Sequence, residues 1–265
     1  MKVVTRSLWP VLVAYIGIAA LFLMVANRPA SAQILTRTTL RPSENWNPIL
    51  PLTLGAGFEF ETNSGEKQYF APLLAEYNFT PTTKLAIEPT FGYVNDQDVQ
   101  AGGFGDLDTS LEWEFLRERR FRPALTAIGG IKFPTAVPSD VGTPGFDFNV
   151  GLIASKDFVF TEVDLSAIYI FSGDKDQQDA LEITLAGEIP LTHRLAIEFE
   201  GVGSLGRDIL SGQSRPGGAG VDYEGTIGLG WQVTRFIKLE GGATLKDDMT
   251  QQYTFGLIYS FAGEY

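Results

Sequence analysis

Twelve stretches of this chain alternate apolar and polar residues, and none of their apolar faces carries a charged side chain. The last stretch shows the pattern most plainly, with apolar side chains at every second position: Tyr253, Phe255, Leu257, Tyr259 and Phe261. Successive residues of a β-strand point to opposite faces of its sheet. The alternation therefore predicts strands with one apolar and one polar face, as in a wall between lipid and water.

The number and length of these stretches predict an all-β fold, a transmembrane antiparallel up-and-down β-barrel of about twelve strands. A tilted strand needs roughly 9 to 11 residues to cross a bilayer. An even number of antiparallel strands closes into a barrel with both termini on one side. The predicted strands cover residues 52–61, 68–79, 84–93, 105–115, 121–133, 145–155, 158–171, 180–189, 194–205, 221–233, 236–246 and 251–261.

The connections between the predicted strands alternate in length. Short links fall at 80–83, 116–120, 156–157, 190–193 and 234–235. The longer links are 62–67, 94–104, 135–144, 172–179, 206–220 and 247–250. Outer-membrane barrels have short periplasmic turns and longer external loops, so both termini are expected in the periplasm. An aromatic girdle is expected at the short-turn end: Tyr77, Phe79, Trp113, Phe115, Phe121, Trp231, Tyr259 and Phe261.

The amino-terminal segment has the features of a secretory signal peptide. Lys2 and Arg6 precede an apolar run over 8–26, and the run is followed by small residues at 30–32. The alternative is an uncleaved membrane anchor, because the apolar run is close to the roughly 20 residues that span a bilayer. Residues 1–32 are therefore predicted to be a cleaved signal peptide.

The rest of the chain divides into a leader, the barrel and a short tail. Residues 52–261 form the predicted outer-membrane β-barrel, and residues 262–265 form the C-terminal tail. The leader at 33–51 is either a disordered periplasmic segment or a partial plug in the mouth of the barrel.

Composition excludes several classes of function. Cleavage after residue 32 removes Lys2, Arg6 and Arg28 but no acidic residue, so the formal net charge changes from −12 to −15. Such an acidic protein is a poor electrostatic partner for nucleic acid. The chain has no cysteine, which excludes disulfides and thiolate chemistry. No cofactor is expected.

A soluble barrel or sandwich, with the apolar faces turned inward, would produce the same alternation. Three features favour the membrane barrel over this alternative. They are the export signal, the aromatic residues near the strand ends, and the number of strands. A closed barrel of twelve strands is too wide for apolar side chains to fill its interior.

If the apolar faces contact lipid, the opposite faces line a lumen that is rich in carboxylates. Burying so many unpaired carboxylates away from water would cost several kcal/mol per ion, so a hydrated interior is expected. The alternative is a narrow lumen closed by ion pairs between the acids and fewer basic side chains. The candidate lumen-lining residues are Glu59, Glu76, Glu88, Asp106, Asp108, Glu112, Glu114, Arg122, Lys132, Glu162, Asp164, Glu182, Glu198, Glu200, Asp222, Glu224 and Glu240.

Residues suited to catalysis or metal binding are few. The only histidine, His193, falls in a predicted short turn, where a lone histidine is usually solvated. Asp174, Asp176 and Asp179 share one external loop and could hold a hard divalent ion, but acidic loops are more often only hydrated. Neither an enzyme nor a metal site is predicted.

Three motifs in the middle of the barrel resemble a family of bacterial outer-membrane proteins named for the meta-pathway of phenol degradation. They are Gly105-Asp106-Leu107-Asp108, Arg122-Pro123-Ala124-Leu125 and Lys132-Phe133-Pro134-Thr135, and the match continues at Gly151 and at Ala154-Ser155-Lys156. The resemblance implies an outer-membrane barrel, transporter-like, that admits small aromatic or hydrophobic compounds. It carries no residue-level site across to this chain.

The sequence thus predicts a passive channel or transporter of the bacterial outer membrane. Its partners would be outer-membrane lipid and small cationic or neutral solutes, since an acidic pore disfavours anions. The alternative is a non-conducting structural or surface-interaction barrel that acts through its external loops.

Overall fold

The computed structural model describes residues 52–63, 66–95, 100–137, 141–158, 160–174, 179–206, 221–246 and 250–261. The predicted signal peptide, leader and C-terminal tail lie outside these ranges. No helix in the described part of the chain is both long enough and apolar enough to span a membrane.

Within the described ranges the chain forms twelve β-strands. In chain order they are β1 Leu52–Asn63, β2 Glu66–Thr80, β3 Thr83–Asn95, β4 Gln100–Leu116, β5 Ala124–Phe133, β6 Asp147–Phe158, β7 Thr161–Phe171, β8 Ala180–Pro190, β9 Leu195–Leu205, β10 Val221–Thr234, β11 Ile237–Lys246 and β12 Gln251–Phe261. The twelve strands and their order confirm the predicted fold class.

Each strand pairs antiparallel with its neighbours in sequence, and β1 pairs with β12 to close the barrel. The closing register runs from Leu52 opposite Phe261 to Thr62 opposite Gln251. Inside lipid no water is present to bond an unpaired backbone N–H or C=O group. Closure removes the two free edges and so satisfies these groups around the whole circumference.

The outer surface of the barrel is apolar. Large side chains at the odd positions of β10 are exposed, including Tyr223, Ile227 (64 %) and Leu229. A soluble barrel would bury such residues and expose its charges, whereas here Glu112 and Lys84 are the buried groups. The protein is therefore a transmembrane β-barrel, and the soluble alternative is wrong.

Aromatic side chains lie near the short-turn ends of the strands, as predicted. Tyr77 and Phe79 make an edge contact with ring centroids 5.1 Å apart, and Trp113 lies 5.8 Å from Phe115. Tyr259 differs from the other predicted girdle residues because it is buried. Its ring is flanked by Phe236 at 6.4 Å and Phe261 at 4.6 Å.

Most strand limits agree with the prediction within a few residues, but β4 starts at Gln100 rather than at 105. The register of β3 and β4 shifts between Pro89 and Phe91, which marks a β-bulge near Gly105 and Asp106. A bulge adds one residue and exchanges the faces of the residues beyond it. Phe104 consequently points outward at an even position, where simple alternation predicts an inward side chain.

Two further limits differ. The long link predicted at 62–67 is a two-residue connection, because Thr62 still pairs with Lys67 and Asn63 with Glu66. The predicted fifth strand began at 121, whereas β5 begins at Ala124. In the first case, strand pairing continues into residues that were predicted to form a loop. In the second, pairing begins three residues later than the alternating pattern does.

A charge placed on the outer face should destabilise the barrel. Ile227 lies near the middle of β10, so Ile227→Arg is expected to lower the free energy of unfolding by about 2–4 kcal/mol. The control, His193→Arg in an exposed turn, should change it by less than about 0.5 kcal/mol. Urea unfolding in lipid vesicles, followed by tryptophan fluorescence, measures both. Equal stability of the two variants would contradict a lipid-facing Ile227.

Candidate functional site

The interior of the barrel is faced by the even-numbered positions of β2 to β5 and of β7 to β12, except beyond the bulge in β4, and by the odd-numbered positions of β1 and β6. This alternation carries most of the charged side chains inward. β9 shows the arrangement clearly, since Ala196, Glu198, Glu200, Val202 and Ser204 are buried and the intervening residues are not. The structure places sixteen of the seventeen predicted lumen-lining residues on the inner wall: Glu59, Glu76, Glu88, Asp106, Asp108, Glu112, Glu114, Lys132, Glu162, Asp164, Glu182, Glu198, Glu200, Asp222, Glu224 and Glu240.

Arg122 does not lie on the inner wall. It belongs to the turn between β4 and β5, where its backbone pairs with Arg119. Its guanidinium donates a hydrogen bond to the carbonyl oxygen of Arg117 at 3.1 Å. The period-two pattern assigned it to a strand, whereas the chain turns there before β5 begins.

A first charged cluster, the Lys84 cluster, lies on β2, β3 and β4. The Lys84 ammonium is 2.8 Å from Glu76 and 3.6 Å from Glu112, and all three side chains are almost completely buried. Lys84 and Glu112 are direct cross-strand partners, so the register itself brings them together. A buried charge that loses its partner is strongly destabilising, and each member therefore depends on the others.

A second cluster, the Lys238 cluster, lies on β8, β9 and β11. The Lys238 ammonium is 2.6 Å from Glu198, 3.0 Å from Glu240 and 3.6 Å from Glu188. Lys238 and Glu198 contact each other across β10, which lies between their strands. A Cβ atom at Gly230 of β10 would come within 2.5 Å of the Glu198 carboxylate and 2.6 Å of Lys238 Cε. The missing side chain of Gly230 leaves the space for this contact.

The two clusters lie on opposite walls. Around the closed ring β3 and β9 are six strands apart in either direction. Two further lysines lie nearer the other end of the barrel, opposite the short turns: Lys132 is 2.8 Å from Asp147, and Lys246 is 2.8 Å from Glu61. Most of these ion pairs join neighbouring or next-neighbouring strands, whereas Lys238–Glu240 lies within β11 and Lys238–Glu188 links strands three positions apart.

The inner wall also has an apolar part, which the sequence interpretation missed. Leu74, Ala86 and Ile258 form a buried cluster on β2, β3 and β12. Ile128 and Ile153 are also buried and face inward. The alternation itself indicates these residues, since all five occupy inward positions.

A small cavity of about 20 Å³ lies at the inner wall beside the Lys238 cluster. Glu198, Glu200, Glu240 and Thr254 line it together with Gly228, Gly242 and Gly256. A space of this size has room for one water molecule, although most of its lining surface is apolar. Glycines on neighbouring strands leave this room, because they place no side chains in it.

The described ranges contain no group of three or more histidine, aspartate or glutamate side chains placed to hold a metal ion. Asp176 of the acidic external loop lies outside those ranges. His193 is exposed in the turn between β8 and β9, away from the inner wall.

No family model matches this sequence, and no curated protein matches it either. The resemblance to the family named for the meta-pathway of phenol degradation therefore stays a prediction.

Solved structures of bacterial outer-membrane barrels do match. An outer membrane channel from Pseudomonas putida F1 has a TM-score of 0.61 at 12% identity, covering 87% of this chain and 100% of that one. The NanC porin has a TM-score of 0.60 at 9% identity, with coverages of 78% and 98%. The KdgM porin has a TM-score of 0.53 at 12% identity, with coverages of 78% and 99%. At these identities the similarity establishes the fold.

Removing the ammonium of the Lys84 cluster should destabilise the barrel. Lys84→Met leaves Glu76 and Glu112 buried without their cation, so a loss of about 3–5 kcal/mol in unfolding free energy is expected. Adding Glu112→Gln should restore part of the loss. Lys67→Met, at an exposed lysine, is the matched control. Urea unfolding in vesicles measures the unfolding free energy of the single variant, the double variant and the control. Equal stability of Lys84→Met and the control would contradict a stabilising role for the Lys84 cluster.

Proposed function

We propose that this protein is a passive outer-membrane channel for small cationic or neutral solutes. The observation that supports the proposal is the charge of the inner wall: every strand except β5 and β12 contributes at least one inward carboxylate. Low-dielectric walls lined by one sign of charge concentrate counter-ions between them. Rings of acidic side chains favour cations in the same way in other channels.

The lysines on the inner wall reduce this charge without cancelling it. The Lys238 ammonium lies within 3.6 Å of three carboxylates, and Lys84 lies between two. Each cluster therefore keeps a formal surplus of negative charge. Because the surplus lies on both opposite walls, a solute on the barrel axis would be near carboxylates on either side.

The burial of these side chains supports a small solute. Lys84, Glu76 and Glu112 are almost inaccessible, so their heads are covered by neighbouring side chains rather than by bulk water. A path past this level is narrow. Asp108, in contrast, is exposed on the inner wall.

The same charge pattern argues against an acidic ligand. The similar KdgM porin was solved in complex with disordered oligogalacturonate, a chain of acidic sugars. Carboxylates on such a ligand would meet carboxylates on the wall here, and like charges repel in a site of low dielectric constant. We therefore propose that this channel does not share that ligand.

We further propose that the barrel carries out no catalytic step. Its single histidine lies in an exposed turn. The carboxylates of the Lys84 and Lys238 clusters are held in ion pairs with lysines. These ion pairs fix the charge of the two clusters, and neither cluster includes a serine or threonine that could act as a nucleophile.

Neutralising acids on the inner wall should weaken cation preference. Asp108 and Glu88 are cross-strand partners, and the double variant Asp108→Asn with Glu88→Gln removes two negative charges at one level. The reversal potential across a KCl gradient in planar bilayers should move from the cation side toward zero.

Asp157→Asn is the control, because Asp157 is exposed beside the turn between β6 and β7. Its reversal potential should stay close to that of the unmodified protein. An unchanged potential in the double variant, or an equal shift in the control, would contradict selection by the inner wall.

A further inference from the structure

The loop between β5 and β6 is bonded to the wall of the barrel at β4. The carboxylate of Asp106 accepts hydrogen bonds from the backbone N–H of Ala136 at 3.2 Å and of Thr143 at 2.8 Å. The Thr143 hydroxyl donates a third bond to it at 3.2 Å. Asp106 lies at the β4 bulge, and bulges commonly redirect a side chain in this way.

Both ends of this loop are held as well. Lys132 at the end of β5 pairs with Asp147 at the start of β6 at 2.8 Å, lies 3.8 Å from Asp106 and also contacts the Thr143 hydroxyl. The Asp147 carboxylate in turn accepts a bond from the backbone N–H of Gly173 at 3.2 Å. The loop is therefore tied to the next extracellular loop as well as to its own strands.

Val141 of this loop reaches a strand that is not adjacent to the loop. An ideal Cβ atom at Gly92 of β3 would lie 3.7 Å from the Cβ atom of Val141. Gly92 faces inward, in phase with Lys84 and Glu88 on the same strand. Because β4 separates β3 from β5, Val141 can reach Gly92 only if the loop crosses the inner side of β4.

Glycines allow this close approach. A Cβ atom at Gly105 would lie 3.4 Å from the Val141 carbonyl oxygen. A Cβ atom at Gly142 would lie 2.3 Å from the Cβ atom of Ala136 and 2.7 Å from an Asp106 oxygen, closer than real atoms come. The loop therefore fits against the wall only without a side chain at Gly142.

We propose that residues 141–143 of this loop form a fixed constriction inside the extracellular half of the barrel and set the size limit for solutes. The inference rests on the proposed channel function. Held by Asp106 and Lys132, the backbone around Val141 occupies lumen that would otherwise be open beside β3 and β4. It also places an apolar side chain next to Gly92, where the Phe70 ring lies as well.

A cysteine pair tests the position of the loop without any measurement of transport. The chain has no cysteine, so Gly92→Cys with Val141→Cys introduces a single pair. Disulfides need Cβ atoms about 3.5–4.5 Å apart, which this pair satisfies. A disulfide should form in the oxidising periplasm and change mobility on a denaturing gel without reductant. Gly225→Cys with Val141→Cys, with Gly225 on the outer face of β10, should form none.

A second variant tests the constriction. Gly142→Ala leaves every charge in place, but the added methyl group clashes with Ala136 and should displace the loop from the wall. Single-channel conductance should therefore rise. Vesicles that contain the variant should also swell faster in larger neutral sugars. Gly225→Ala, where an added Cβ meets open space, should behave as the unmodified protein.

The outcomes separate the two proposals. Absence of the disulfide, with both cysteines reactive to a soluble maleimide, would overturn the position of the loop while leaving the channel intact. A disulfide combined with unchanged conductance in Gly142→Ala would overturn the constriction. A folded, cross-linked protein that carries no current would overturn the channel and, with it, the role given to the loop.

Discussion

The whole structure depends on the backbone hydrogen-bonding groups, which find no water inside the membrane. A sheet meets this condition only by closing on itself, and the pairing of β1 with β12 supplies the closure. Every strand then separates lipid from lumen, so a single alternation fixes both surfaces at once. Apolar side chains such as Ile227 face outward, and the carboxylates at the intervening positions therefore face inward.

Carboxylates that face inward repel one another and lose hydration, and the lysines on the inner wall partly compensate for this cost. Lys84 and Lys238 each form ion pairs with more than one carboxylate. Gly230 has no side chain, which leaves the space for the contact between Lys238 and Glu198. The inner wall is consequently acidic, ion-paired and partly apolar around Ile258. Such a wall fits a narrow path for small solutes better than a wide aqueous pore.

The sequence predicts the architecture well because the alternation of apolar and polar residues is set within each strand and does not depend on distant contacts. It predicts the twelve strands and the lipid face, and sixteen of the seventeen candidate residues lie on the inner face of the strands. It fails where the period is broken or ends: the bulge at Asp106 lengthens β4, and Arg122 lies in a turn. Contacts between distant residues, such as Val141 beside Gly92, leave no periodic trace and become visible only in three dimensions.

The most direct test of the account is the current carried by the unmodified protein in a planar bilayer across a KCl gradient. The account predicts stable single-channel currents with a reversal potential on the cation side, because carboxylates outnumber ammonium groups along the inner wall. A folded barrel that stays silent, or one that prefers chloride, would contradict it.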